Sequence, residues 1–150
     1  MNGSAYDLTV VNAPFKAKKY PYALFMGHLA LEKLIKAVVV KHTKAHAPFS
    51  HSLPYLAERS GLKIPESLLV KLREFMEFHL EARYPDANKE FYGKCNRVYT
   101  AARLKEPLIN SYFVIASPAP LWIMKACSLA NSFVQQSGAG LISLKTRFYA

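Results

Sequence analysis

Three groups of residues have types and spacings that could do chemistry. His28 and Glu32 lie one helical turn apart, as do His42 and His46. This is the spacing at which two side chains on one helix face hold a metal ion. Neither pair has a convincing third ligand and no HExxH pattern exists, so these histidines read as packed or hydrogen-bonded and no metal is expected. The second group is Arg73 and His79, separated by five residues. A metal-independent ribonuclease needs a base for the 2′-hydroxyl, an acid for the leaving oxygen and a cation beside the phosphate, and this pair formally supplies them. Six positions of a regular helix turn through about 240°, however, so the two side chains would face different ways. The competing reading sets Arg73 on the solvent face with Glu77 and His79 on the core seam. The third group is the corner Arg83-Tyr84-Pro85-Asp86. Arg83 offers a planar fork for a phosphate or carboxylate, Tyr84 a stacking face, and Asp86 an acceptor or a helix cap. Alternatively, Arg83 pairs with Asp86 or with helix-end carbonyls and only fixes the turn.

Other chemistries are excluded. The glycines are scattered, so neither GxGxxG nor GxxxxGK[ST] can be written, no serine nucleophile is supported, and no cofactor is expected. Cys95 and Cys127 lack CxxC spacing and fall in apolar, helical-looking runs, which suits small buried hydrophobes. Twenty Lys and Arg against ten Asp and Glu give a formal +10, a field that draws polyanions such as RNA, nucleotides or an acidic partner. The start, MNGSAYDLTVV, has no basic n-region leading into an apolar core, so the cytoplasm is the expected location. At 150 residues, 51% apolar, the chain fits one domain over 1–150.

The elements that must position these groups read as helices. A first helix spans about Ser4 to Lys19, with Ser4 as N-cap and Asp7 at its third position, and Pro14 should kink or divide it. The second, about Pro21 to Lys44, repeats Leu24, His28, Leu31, Ile35 and Val38 in steps of four and three, with Glu32 and Lys36 as an i,i+4 pair. A loop with prolines 48 and 54 leads into a short helix, Leu53 to Arg59, stopped by Gly61. Pro65 opens a third long helix with Leu68, Leu72, Phe75 and His79 on its apolar face, ending near Arg83 because Tyr84 precedes a proline. A fourth helix, capped by Asp86 or Asn88, carries Phe91, Cys95, Val98 and Ala102 on one side and Lys94, Arg97 and Lys105 on the other. No Asp or Glu follows Glu106, and Pro118 and Pro120 break the apolar run from Leu108 to Val134, so a core helix at about Leu121 to Val134 is favoured over a membrane span. A turn at Ser137 to Gly140 and a short apolar end, Leu141 to Tyr149, complete the chain.

With these residues placed, the order of motifs resembles the HEPN family of small helical domains. The resemblance rests on Asp7, the run from Ala23 through Gly27, His28, Glu32, Lys33 and Lys36 to Ala37, then His51 and Leu53, and Arg83-Tyr84-Pro85-Asp86, and it covers about residues 5–106. It implies an all-α, up-and-down bundle of four or five helices, commonly dimeric, that binds nucleotides and is often encoded beside a minimal nucleotidyltransferase as a toxin-antitoxin pair. By the resemblance, the ligand-binding residues are Arg83, Tyr84 and Asp86 with Glu32, Lys36 and His51. Ribonucleases of the family use an Arg, four to six residues and a His in a late helix. No histidine follows Arg83 here, which leaves Arg73 and His79 as the only formal match. The expected function is therefore nucleotide or RNA binding and partner interaction by a homodimeric module. A metal-independent endoribonuclease toxin is the alternative, and a purely structural partner domain a third reading.

Overall fold

The structure is a computed structural model that describes residues 3–105; the expected elements at 121–134, 137–140 and 141–149, and Cys127, lie outside the described residues. The described residues form six helices and no strand. They are α1 (Gly3–Lys16), α2 (Tyr20–Thr43), α3 (Leu53–Arg59), α4 (Glu66–Glu81), α5 (Lys89–Lys94) and α6 (97–105). The architecture is an all-α bundle.

The central element is α2. The apolar seam predicted from its periodicity is the one that packs: Leu24, Leu31, Ile35 and Val38 are all buried. Val38-Val39-Val40 stays helical despite its β-branched side chains, because two of the three valines are buried in the core and packing outweighs a small propensity cost. Both ends of α2 are set by lysines in the left-handed region, Lys18 at φ 59° before it and Lys44 at φ 57° after it. Pro14 does not divide α1. It lies in the last turn, the helix continues to Lys16, and the Lys19 N–H closes on the Pro14 carbonyl at 2.7 Å.

The fourth expected helix is broken in two. Cys95 adopts φ −74°, ψ 81°, outside helical geometry. Asn96 then starts a new helix by accepting the Tyr99 N–H on its side-chain oxygen at 2.9 Å. The break rotates the second piece, so Phe91 and Cys95 are buried as predicted while Val98 is 78% exposed and Ala102 is also outside. In their place α6 buries Thr100, Ala101 and Leu104.

Leu104 reaches the central helix at Gly27. A β-carbon there would lie 2.5 Å from Leu104 Cδ2 and 3.3 Å from Phe75 Cζ, so α4 and α6 approach α2 more closely than a side chain allows. Gly27→Val should cost about 2 kcal/mol by overpacking, read as a lower urea midpoint. An unchanged midpoint would show that the three helices can part freely at this point.

Candidate functional site

One face of α2 carries Phe25, His28, Glu32 and Lys36, successive steps of three, four and four residues that stack side chains along a helix. Glu32 is its centre. Although only 6% of the residue is exposed, its carboxylate receives Lys36 Nζ at 2.7 Å on Oε1 and His51 Nδ1 at 2.9 Å on Oε2. His28 Nε2 lies 3.6 Å from the same Oε2, too far for a hydrogen bond. On its other side His28 makes a long contact of 3.4 Å from Nδ1 to the Phe75 carbonyl. A carbonyl can only accept, so a hydrogen bond there uses an Nδ1 hydrogen, and Nε2, wholly buried, has no hydrogen-bond partner among the described residues.

Burial alone would raise the Glu32 carboxyl, but its contacts with His28, Lys36 and His51 outweigh burial and hold it well below the usual carboxylate range. The carboxylate is an anion throughout the physiological range.

His51 comes from the loop before α3, which two contacts hold in place. Ser52 caps α3 by accepting the Tyr55 N–H at 3.4 Å, and the Leu53 N–H points at Met76 Sδ of α4 at 3.2 Å. With Nδ1 committed to Glu32, His51 keeps 62% of its side chain exposed.

His79, in the last turn of α4, completes the group. Its ring stacks on His51 with centroids 4.7 Å apart and planes 21° apart, and lies 4.9 Å from His28. Burial, then the neighbouring His28, His51 and Arg83, push its protonation below the ordinary imidazole range, and Glu32 offsets this only in part. His51 and His79 are stacked, whereas His28 is tilted by 36° against His79. Among the described residues no group of His, Cys, Asp and Glu is arranged to hold a metal ion.

The corner after α4 joins this cluster through Arg83, whose guanidinium lies over the Phe25 ring at 5.7 Å from its centroid; Phe25 in turn lies 6.1 Å from His79. Tyr84 and Asp86 are exposed. The residues that brace the corner are different ones. Asn88 donates its N–H to the Tyr84 carbonyl at 3.1 Å and its side-chain amide to the Glu81 carbonyl at 3.3 Å, while Tyr92 donates its hydroxyl to the Ala82 carbonyl at 2.7 Å. Burial and the adjacent Tyr22 push the Tyr92 hydroxyl up to about 12, so it remains a donor at any physiological pH. Asn88 occupies the cap position of α5 without capping it through its side chain.

The sequence-predicted site residues therefore separate into those brought together and those kept apart. Glu32, Lys36 and His51 are in direct contact, and Arg83 lies beside them across Phe25. Arg73 is exposed and pairs with Glu66 at 2.9 Å, whereas His79 is in the imidazole cluster. His28 and Phe25 were not marked as ligand-binding positions, yet both contribute to the site. Their regular spacing with Glu32 and Lys36 on one face was the available signal.

A sequence model of the HEPN domain matches residues 2–105. The chain belongs to the HEPN family. Membership places it among nucleotide- and RNA-related helical domains, and the matched span takes in α1 to α6, including every residue of the cluster. No curated protein matches the chain and no solved structure does. Among the described residues, no helix of this HEPN domain is long and apolar enough to cross a membrane.

Proposed function

We propose that this HEPN domain is a nucleotide- or RNA-binding and partner-interaction module. Its anion is received on the face carrying Arg83, Lys36 and His51, with Tyr84 as the stacking surface and Asp86 as an acceptor for ribose hydroxyls. It works as a cytoplasmic homodimer beside a minimal nucleotidyltransferase. The observation that carries the reading is convergence. The Glu32-Lys36 segment, His51 and the Arg83 corner are far apart in the chain, yet His51 bonds to Glu32 and stacks on His79, and Arg83 rests on Phe25 of the same helix face. A formal charge of +10 supplies the long-range attraction for a polyanion.

Titrating ATP and a short single-stranded RNA into wild type and Arg83→Ala at two salt concentrations tests this. Loss of a charge-assisted phosphate contact should weaken binding by about tenfold or more and make the salt dependence shallower by about one phosphate contact. Indistinguishable curves would make the corner a structural turn. The ribonuclease alternative is checked with the same protein: structured RNA incubated in EDTA with wild type, Arg73→Ala and His79→Ala. Cleavage abolished by both substitutions supports it, and no cleavage by wild type removes it.

A further inference from the structure

Lysines and arginines account for attraction to a phosphate, but they do not explain why the site encloses three imidazoles. His51 is the exposed member, His79 is stacked beneath it, and His28 is fully buried beyond, with ring centroids 4.7 Å and 4.9 Å apart. Among the described residues, the charged and titratable groups around them come from four places. From α2 come Glu32 and Lys36, from the loop His51 itself, from α4 His79, and from the corner Arg83. Glu32 meets Lys36 and His51 directly and lies 3.6 Å from His28, while His79 stacks on His51 and Arg83 lies over Phe25. Lys36 and His51 already engage the carboxylate, and the buried Nε2 of His28 has no hydrogen-bond partner among the described residues.

His79 is disfavoured as a cation by burial and by His28, His51 and Arg83. A phosphate seated against His51 and Arg83 reverses that balance, because its negative charge lies beside the groups that repel the proton. We propose that the site binds an RNA phosphate together with a proton held by the His28, His51 and His79 cluster, so that phosphate affinity is linked to pH. The inference rests on the binding reading of this site and adds its regulation. The sign follows from linkage: an anion that favours the protonated cluster is bound more tightly as pH falls toward the imidazole range.

The test titrates the full-length protein with a short single-stranded RNA carrying a pH-insensitive dye, at about pH 6 and about pH 8, either side of the ordinary imidazole value. Wild type should bind about tenfold more tightly at the lower pH, within the roughly hundredfold limit that one linked proton sets over two pH units. His51→Gln and His79→Gln should flatten that ratio. His42→Gln and His46→Gln, exposed residues elsewhere on the surface, should retain it. A ratio absent from wild type, or persisting in both cluster variants, overturns the inference while leaving binding itself in place. Absence of RNA binding at both pH values removes the inference and the RNA-binding reading beneath it. Because a cluster variant could fail to fold, the wild-type protein supplies a second measurement. The titration midpoint of the His79 Cε1 proton, followed by NMR, should move to higher pH on addition of RNA, and an unmoved midpoint overturns the proposal.

Discussion

Glu32→Ala is expected to destabilise the domain by about 3 kcal/mol, the scale on which removing one member of a buried ion pair acts. An exposed pair would be worth less than about 1 kcal/mol, and burial decides between the two cases. The Glu32 side chain is 8% exposed and the His28 side chain 0%, while Lys36 and His51 reach solvent, which keeps the figure at the lower end. The melting temperature should fall by roughly 10 °C at neutral pH, taking about 3 °C per kcal/mol for a chain of this size. Little change would mean that solvated lysine and histidine, and not the carboxylate, hold the loop against α2. The pH profile supplies a second readout. Because the folded carboxyl is held below its unfolded value, its contribution is fully present above roughly pH 4.3 and is lost as pH falls through the folded value. Glu32→Gln should therefore flatten the acid limb of the stability curve.

Phe75→Ala should cost about 4 kcal/mol, through packing alone. Its ring is buried in α4, meets Phe78 edge-on at 4.9 Å, and fills the space that Gly27 leaves open on α2. Leu104 enters the same space from α6, so the cavity would lie where three helices meet. Removal of a ring that bears no charge should lower the urea midpoint by a similar amount at acid and neutral pH. A strongly pH-dependent loss would instead indicate that the Phe75 backbone contact to His28 had been disturbed.

Much of the bundle was legible because helices announce themselves locally. The repeat of Leu24, His28, Leu31, Ile35 and Val38 specified α2 and its buried face, and Tyr84 before Pro85 placed the end of α4. What escaped was local competition and tertiary contact. The apolar spacing of Phe91, Cys95, Val98 and Ala102 fitted a continuous helix, but one asparagine side chain capping at Tyr99 outweighed it. A proline predicts a kink or a division of α1, but in the final turn at Pro14 it leaves the helix whole.

The candidate site divides along the same line. Glu32 and Lys36 were readable as a pair because they share one helix face. The meeting of His51 with Glu32 spans 19 residues, and that of His28 with Phe75 spans 47, distances over which no periodicity reports. His79 was placed on the core seam for its spacing, and that spacing carried no information about the two imidazoles it would stack on.

The arrangement of two donors and a buried imidazole around one carboxylate also bears on how such a sequence can drift. A lineage that loses Lys36 or His51 first keeps a buried anion with a remaining partner, and later changes can follow from a folded intermediate. One that loses Glu32 first leaves the enclosed His28 without its anion, a step whose cost falls on every descendant until a second substitution repairs it. The order of replacement is therefore asymmetric, and the carboxylate is the member of the group that must be abandoned last.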